Sequence, residues 1–259
     1  MGQALKLPVS VIVLTKNEEK NLPGCLASLG WAKEVVVVDS QSTDKTLAAA
    51  RKAGARVINR PWPGYTAQRN FALSKCRQPW VLSVDADERV SEELRDSIAA
   101  LLEQGPQRRG YRVPEVNNYF GRWLRYGGIY PGWHMIFYRR QGAKYESGQA
   151  DVHEGVRVEN PGDLDGLLVH HAYPTLELAL DKLNAYTSAE AEGRLKQGPA
   201  QVGLYGLVFR PLQRFIRNYF FKLGFLDGVQ GLLYCFLTGY YTFAFHLKIW
   251  ARQAAPGKS

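Results

Sequence analysis

Cysteine is scarce in this sequence, and its spacing fits neither a disulfide framework nor a zinc site. Only Cys25, Cys76 and Cys235 occur in 259 residues, and no two of them stand at CxxC spacing. This usage argues for a reducing compartment, against a disulfide-stabilised scaffold and against structural zinc. The first residues also lack a basic segment followed by an apolar one, so we expect no cleaved signal peptide.

Long apolar runs and a dinucleotide fingerprint are also missing. The longest apolar stretch, Gly231–Phe245, has 15 residues, whereas a helix needs about 20 to span a bilayer. No GxGxxG motif follows the first strand-like run, so the dinucleotide-binding fingerprint is absent. The remaining composition is that of an ordinary globular protein, so we expect one large domain, or one domain with an appendage.

Positive charge is unevenly distributed along the chain. The net charge is +9, and residues 203–259 hold seven basic residues against one acid, Asp227. This tail is also rich in aromatic residues and leucine, a combination typical of helices that lie on an anionic membrane surface. Arg210, Arg214 and Arg217 would share one helical face; a solvated cationic face on a packed helix is the alternative. Nucleic acid is not expected as a partner, because the tail contains no known nucleic-acid-binding module.

Strand-like and helix-like segments alternate through the first 104 residues. The pattern predicts strands at Val9–Thr15, Glu34–Val38, Arg56–Asn59 and Trp80–Val84. Helical spacing follows each of them, from Asn17 to Leu29, from the 40–44 turn to Ala53, at Thr66–Cys76 and at Ser91–Glu103. Short connections between such elements predict a mostly parallel, Rossmann-like α/β sheet with right-handed crossovers and helices on both faces.

Acidic side chains stand where two of these strands end. Asp39 follows the second strand, and Asp85 and Asp87 follow the fourth. Ligands of open α/β sheets bind beyond the carboxyl ends of the strands, and carboxylate oxygens beside phosphates suit Mg²⁺ or Mn²⁺. We therefore expect a nucleotide and metal site at this edge. The alternative is that these acids only favour the N-termini of the helices that follow.

The chain changes character after residue 110, where short strand-like pieces among Gly, Pro and aromatic residues indicate mixed or antiparallel structure. Asp151 and Glu154 are candidate general bases, with His153 between them to orient one; a solvated turn is the alternative. His170 and His171 end a strand-like piece, and one of them, His170 by our choice, is a candidate ligand for a metal held by Asp87. A structural histidine is the alternative there.

Four motifs, taken together, resemble those of the family-2 glycosyltransferases. They are Val11–Glu18, Val37–Asp44, Ala67–Asn70 and Asp85–Asp87, in the order and spacing of that family. Three further stretches are similar to a narrower branch, the bacterial lipopolysaccharide-core glucosyltransferases that add β-glucose to a heptose: Val152–Glu154, His170–Tyr173 and Gly224–Gly228. The chain departs from that branch at Gly132, where the branch carries an acid.

The resemblance implies a GT-A fold and an inverting, metal-dependent transfer from a nucleotide-sugar donor. It implies that Thr15, Asn17 and Glu18 line the nucleobase and ribose pocket. Asp39 would bind the uracil, and Arg69 would approach the donor.

The resemblance also assigns the metal and the base. Asp85 would contact the ribose or the sugar, and Asp87 would hold the metal. Glu154 falls where the branch carries its acidic residue, so it is the expected base, with Asp151 in reserve. In chemical terms, the metal would neutralise the leaving diphosphate while a carboxylate takes the acceptor's proton.

We therefore predict a GT-A glycosyltransferase domain at residues 1–200 and basic, aromatic, amphipathic membrane-associating helices at 201–259. The enzyme would move a hexose, glucose by the resemblance, from a UDP-sugar to a lipid-linked or lipopolysaccharide-core-like acceptor. It would lie as a peripheral protein on the cytoplasmic face of the inner membrane. Two alternatives remain open: a polyprenyl-phosphate glycosyltransferase, and a non-catalytic nucleotide-sugar-binding scaffold at the membrane.

Overall fold

The structure, a computed structural model, describes residues 6–146, 155–198 and 200–254. These residues form two compact units. The first unit comprises residues 6–115, 132–146 and 155–170, and the second comprises the described parts of 116–131 and 171–254.

Twelve strands are present among the described residues. They are β1 (Leu7–Thr15), β2 (Ala32–Asp39), β3 (Arg56–Asn59), β4 (Trp80–Asp85), β5 (Glu88–Val90), β6 (Gly110–Tyr119), β7 (Arg122–Leu124), β8 (Gly132–Arg139), β9 (Tyr145–Glu146), β10 (Gly155–Val156), β11 (Gly162–Asp163) and β12 (Leu168–Tyr173). The α-helices of the same residues are α1 (Leu22–Ala27), α2 (Thr46–Lys52), α3 (Tyr65–Lys75), α4 (Glu92–Gln104), α5 (Leu176–Lys196), α6 (Arg210–Ile216) and α7 (Gly228–Ala254).

The main sheet is built around β1, the first strand of the chain. Its strand order is β3-β2-β1-β4-β8-β6-β12-β5, with the short strands β7 and β11 also paired to β6. The first four strands in this order are parallel to one another, whereas β8 is antiparallel to both β4 and β6. The predicted parallel half followed by antiparallel strands is therefore confirmed.

Alternate side chains of β1 lie in different cores, which shows that the sheet is covered on both faces. Val11 and Val13 pack in a buried cluster with residues of α1, α2 and α4, such as Leu22. Ile12 packs in a second cluster that includes Ala72 of α3. A strand buried on both faces needs a continuous apolar run, which the sequence of β1 provides, and the predicted helices on both faces are confirmed.

The beginning of α1 differs from the prediction, which started this helix near Asn17. The helix begins only at Leu22. Asn17 instead has a left-handed backbone, with φ of 56°, and the N–H groups of Glu18 and Glu19 donate to Thr46 and Asp44 rather than lying free at a helix start. These long-range hydrogen bonds hold the segment against the loop after β2, and no local sequence pattern shows them.

The second unit is formed mainly by helices. α5 packs on α7 through Ala179 and Leu183 of the first helix and Leu237 and Ala244 of the second. α6 continues at both ends into π-helical turns, Tyr205–Phe209 and Arg217–Phe221, and a 3₁₀ turn at Gly224–Asp227 precedes α7. This compact unit includes α5, which lies before the boundary predicted at residue 200. The predicted division of roles between the two parts stays a prediction.

Among the described residues, no single helix is both long and apolar enough to cross a bilayer. One bent pair, Tyr205–Phe221 with Gly224–Gln253, meets at 74° and reaches the required length and apolar composition only when both parts are taken together.

Gly166 is a position where we expect a side chain to be costly. Its φ is +91°, and a Cβ added at this position would lie far inside van der Waals distance of the backbone nitrogen of Leu94. A left-handed backbone and overpacking against a rigid helix start each cost about 1–2 kcal/mol or more. Gly166→Ala should therefore lower the free energy of unfolding by at least ~2 kcal/mol in urea titrations.

The matched control for this substitution is Gly54→Ala. Gly54 has a similar φ of +75°, but a Cβ there meets nothing within 4 Å. Only the backbone penalty of about 1 kcal/mol should remain. Equal losses for the two variants would show that the contact with Leu94 has no energetic effect.

Candidate active site

The ends of β2 and β4 bring the two predicted acidic positions to one edge of the sheet. β1 lies between these strands, with Thr15 opposite Asp39 on one side and Leu14 opposite Asp85 on the other. Neighbouring strands are about 4.8 Å apart, so the backbones of Asp39 and Asp85 are separated by roughly 10 Å. The predicted convergence of strand-end acids is confirmed within the first unit.

Asp39 is fully buried, and its carboxylate is held by three donors. Oδ1 accepts hydrogen bonds from the Thr15 hydroxyl at 2.9 Å and the Ser42 hydroxyl at 2.6 Å, and Oδ2 accepts from the Ser42 N–H at 2.8 Å. These bonds satisfy the buried charge and fix the turn after β2. Asp39 therefore shapes this loop, while its predicted contact with uracil stays a prediction.

Asn17 and Glu18 fasten the loop after β1 to the loop after β2. The Asn17 N–H donates to Ser42 Oγ at 2.8 Å, and Asn17 Oδ1 accepts from the Thr43 N–H at 2.9 Å. The Glu18 N–H donates to Thr46 Oγ1 at 2.8 Å. The residues predicted to line the nucleobase and ribose pocket therefore lie together at the sheet edge, in two loops that are hydrogen-bonded to each other. They are Thr15, Asn17 and Glu18.

Arg69 joins α3 to the end of β4. Its guanidinium donates to Ser83 Oγ at 2.8 Å and to Asp85 Oδ1 at 2.5 Å. The Arg69 side chain is 11% exposed and that of Asp85 48% exposed. Because only one face of the Asp85 carboxylate is covered by this pair, the other remains open toward solvent. Two residues predicted from separate motifs, Arg69 and Asp85, are therefore in direct contact.

Glu88 directly follows Asp87 and is hydrogen-bonded back to Asp85 in the same short segment. Its carboxylate accepts a hydrogen bond from the Asp85 N–H at 2.7 Å. Burial raises the pKa of Glu88 well above its usual range, and the charge of Asp85 raises it further. An acid in this setting holds the chain in a tight turn and keeps Asp87 at the edge of the sheet.

His170 of β12 lies among acids from three different strands and turns. Its Nε2 is 3.4 Å from Asp87 Oδ2, and its Nδ1 is 3.2 Å from Glu115 Oε1. Directly across the ladder, His170 is paired with Glu88 of β5. Glu115 Oε2 is also 3.3 Å from Nε2 of His134. We call Asp87, Glu88, Glu115 and His170 the acid–histidine cluster.

The ionisation of His170 reflects these neighbours. Burial alone would lower the pKa of His170, but the hydrogen bonds to Asp87 and Glu115 outweigh burial and raise that pKa to about 11. The imidazolium therefore offsets the charge of the surrounding carboxylates. A metal-bound imidazole is neutral, so a cation held by His170 would take the place of this proton.

Donor atoms of Glu88, Glu115 and His170 lie within 4.8 Å of one another, a spacing compatible with a metal ion, among the residues that the structure describes. Asp87, the predicted ligand, is not in that closest group but contacts its histidine. The predicted pair of Asp87 and His170 is thus brought together, beside two further carboxylates. Carboxylate oxygens with one imidazole form a donor set that fits Mg²⁺ or Mn²⁺.

Glu115 and His134 belong to this site but were not predicted from the sequence. Both lie on antiparallel strands, β6 and β8, whose pairing depends on contacts far apart in the chain. One local signal for Glu115 exists. It is an acid within the otherwise apolar stretch Val113–Val116, and charges in buried strands are rare unless they are paired or bind a metal. His134 offers no comparable signal.

The predicted bases, Glu154 and Asp151, lie outside the described residues. Their roles therefore stay predictions.

The chain belongs to glycosyltransferase family 2. The family model described as glycosyl transferase family 2 matches residues 10–157, which include Asp39, Asp85, Asp87, Glu88 and Glu115. The chain is 33% identical over 267 residues to the lipopolysaccharide core biosynthesis glycosyltransferase LpsC of Rhizobium meliloti, covering 98% of this chain and 96% of that protein. With this family and the sheet described above, the GT-A fold class is confirmed, and the protein is a glycosyltransferase.

Three further similar proteins have lower sequence identity to this chain. An uncharacterized glycosyltransferase of Rickettsia typhi is 30% identical, over 87% of this chain and 80% of its own length. Among solved structures, S. aureus TarS is 18% identical, with a TM-score of 0.42 over 85% of this chain and 45% of its own. Glucosyl-3-phosphoglycerate synthase of Mycobacterium tuberculosis is 22% identical, with a TM-score of 0.36 over 42% and 44%.

Proposed function

We propose that the protein is an inverting, metal-dependent hexosyltransferase that uses a UDP-sugar, with glucose as the hexose. The observation that carries this proposal is the acid–histidine cluster at the edge where β1, β2 and β4 end. Open α/β sheets bind nucleotides beyond the carboxyl ends of their parallel strands. The cluster supplies oxygen and imidazole donors at that edge.

The proposed ligands of the cation are Asp87 and His170. His170 Nδ1 faces Glu115 and its Nε2 faces Asp87. Histidines that bind metals through one ring nitrogen usually donate the other N–H to a carboxylate, which fixes the ring. Glu115 is well placed for that supporting role, with His134 on its second oxygen. When bound, the cation would neutralise the diphosphate leaving group.

The remaining residues would position the donor and prepare the acceptor. The loops held by Asn17, Glu18 and Asp39 would take the uridine, and Asp85, oriented by Arg69, would contact the ribose or the sugar through its open oxygen. A carboxylate, Glu154 by our assignment, would accept the proton of the acceptor hydroxyl as that oxygen attacks C1 from the face opposite the diphosphate. Attack from that face inverts the anomeric centre.

We propose a lipid-linked saccharide of the lipopolysaccharide-core type as the acceptor. The support is the relative LpsC, which is named for lipopolysaccharide core biosynthesis and matches nearly the whole chain. The alternative of a non-catalytic scaffold is not supported, because the chain belongs to an enzyme family.

The donor and the acceptor are tested by product analysis. Purified protein is incubated with Mn²⁺ and a panel of UDP- and GDP-hexoses, together with either a deacylated lipopolysaccharide-core oligosaccharide or a polyprenyl phosphate. Mass spectrometry should find one added hexose on the oligosaccharide, from UDP-glucose. Transfer to polyprenyl phosphate alone would replace the proposed acceptor, and transfer from GDP-hexoses alone would refute the uridine site.

We also propose that the second unit binds the cytoplasmic face of the inner membrane as a peripheral element. Its helices expose many large apolar side chains: Leu204, Val208, Phe209, Leu212, Phe220, Phe221, Val229 and Phe236. Soluble monomers rarely expose a contiguous apolar patch of this kind without a function. The net positive charge of residues 203–259 favours anionic lipid.

Two arginines of the predicted cationic face have other neighbours within this unit. Arg210 donates to His246 Nε2 at 3.2 Å, and Arg214 lines a cavity with residues of α5 and α7. The exposed apolar side chains, rather than a row of arginines, therefore carry most of the argument for membrane binding.

Phe220 and Phe221 provide the test of this surface. They are 55% and 80% exposed, and burying a Phe side chain contributes about 1.5–3 kcal/mol. Replacing both with Asp should weaken binding to vesicles of phosphatidylethanolamine and phosphatidylglycerol by at least ~100-fold in flotation assays. Trp62→Asp, at an exposed aromatic of the first unit, is the control and should bind as the wild type does. Unchanged binding of the double variant would refute the surface.

A further inference from the structure

The second unit contains a cavity that no step described above uses. It has a volume of about 410 Å³ and is lined by side chains of α5, α6, α7 and the ends of β6 and β12. Five tyrosines contribute to it: Tyr119, Tyr173, Tyr186, Tyr234 and Tyr241. We call this cavity the tyrosine pocket. Its volume lies within the range of about 300–1,000 Å³ that is typical of small-molecule sites.

The tyrosine rings give the pocket flat, apolar walls with polar tips. Tyr119 packs against Tyr173 with ring centroids 4.8 Å apart, and against Tyr234 at 5.3 Å in an edge-on arrangement. Burial raises the pKa of Tyr234 to about 12, with nearby Arg214 opposing the shift, so the hydroxyl stays protonated and can donate. A wall of this type suits a ligand with both C–H faces and hydroxyl groups.

Besides the tyrosine hydroxyls, the polar groups of the pocket are one acid, Glu190, one base, Arg214, and the hydroxyls of Thr238 and Thr242, which lie one turn apart on α7. Tyr241 is hydrogen-bonded to Glu190, which together with burial raises the pKa of Tyr241. Arg214 lines the pocket from α6. Thr242 donates its hydroxyl proton to the Thr238 carbonyl at 3.1 Å, which leaves its oxygen able to accept. The lining contains one basic side chain, Arg214, and one acidic side chain, Glu190. This balance of charge favours a neutral polyhydroxyl ligand over a free anion.

Another cavity of the same unit has the apolar lining that an acyl-chain site would need. That cavity, of about 430 Å³, is lined almost wholly by apolar side chains, among them Leu207, Leu212, Phe215 and Phe243. An acyl chain placed instead in the tyrosine pocket could form no hydrogen bond to the hydroxyls, the carboxylate and the guanidinium of that lining. The tyrosine pocket is therefore the poorer site for a lipid tail and the better one for a sugar.

We infer that the tyrosine pocket binds a pyranose ring of the acceptor saccharide, an inference that rests on the proposed glycosyltransfer. Along the chain, Tyr119 follows Glu115 by four residues, and Tyr173 follows His170 by three. Stacking against tyrosine faces would hold the ring, and Glu190, Arg214 and Thr242 would take its hydroxyls.

Saturation-transfer NMR on the full chain tests this inference. The probes are the methyl glycosides of glucose, galactose, mannose and a heptose, with octyl glucoside as the lipid-like comparison. At least one methyl glycoside should bind saturably. Tyr241→Phe and Arg214→Gln should each weaken it about tenfold, the change expected when one hydrogen bond to the ligand is lost.

The matched controls are Tyr240→Phe and Arg217→Gln. Each stands near the tested residue on the same helical segment, Tyr240 is 41% exposed, and neither lines the pocket. Both should bind the methyl glycoside within twofold of the wild type.

Three results would overturn the inference: no methyl glycoside binds the wild type, the pocket and control variants weaken binding equally, or only octyl glucoside binds. UDP binding with Mn²⁺, measured on the same samples, separates this inference from the donor proposal. Pocket variants that lose the glycoside but keep UDP support both. A protein that binds the glycoside through the pocket but never binds UDP supports the pocket and refutes the donor site.

Discussion

Asp87→Asn is expected to lower kcat/KM for sugar transfer by at least ~10³ while leaving the protein folded. The substitution removes one negative charge but keeps the shape of the side chain. Stabilisation of a leaving diphosphate by a divalent cation is worth several kcal/mol, and each 1.4 kcal/mol is a factor of ten in rate. The contact between Asp87 and His170 at 3.4 Å places this carboxylate on the proposed cation site.

Asp96→Asn is the control for this experiment. Asp96 is an exposed acid on α4 that forms an ion pair with its neighbour Arg95, so its loss should leave the rate within twofold. Circular dichroism and thermal unfolding should give the same fold for both variants. A folded Asp87→Asn protein with normal transfer would show that the metal assignment is wrong.

Glu154→Gln is expected to lower kcat by about 10²–10⁴, the usual contribution of a general base. The amide cannot accept the acceptor's proton, but it has nearly the same size. Donor binding does not require the base, so the affinity for UDP in the presence of Mn²⁺ should change less than twofold. Pre-steady-state transfer assays and calorimetric titration measure these two quantities separately.

The control residue for Glu154 and the alternative candidate base are both close to Glu154 in the sequence. Glu159→Gln changes an exposed acid and should leave turnover unchanged. If Glu154→Gln keeps full turnover, the base assignment is refuted for Glu154, and Asp151→Asn should then show the loss. Weaker UDP binding in Glu154→Gln would instead indicate a role in the donor site.

The parallel part of the fold could be predicted from the sequence because its signals are local. β1, β2 and β4 are apolar runs long enough to be buried on both faces, and the acids that follow them must lie together once neighbouring strands are parallel. The Ser91 side chain caps α4 by accepting from the Leu94 N–H, which is a sequence-level helix start. Asp85 and Asp87 were found in this way, whereas the role of Arg69 was implied by the resemblance to the family.

The rest of the site depends on pairings that local patterns do not determine. Glu115 meets His134 and His170 only because β6 lies between β8 and β12 in the sheet. β5, three residues long, was also missed, since a segment that short carries no periodicity. Contacts between residues that are distant along the chain also determine two other features. They are the late start of α1 and the orientation of Arg214 toward the tyrosine pocket.

Calorimetric titration of UDP into the metal-free protein, with and without Mn²⁺, tests the central proposal most directly. Chelation by EDTA should weaken UDP binding at least tenfold, and Mn²⁺ should restore it in the wild type but not in Asp87→Asn. If UDP binds equally well with EDTA and with Mn²⁺, the acid–histidine cluster does not bind a cation that contacts the diphosphate.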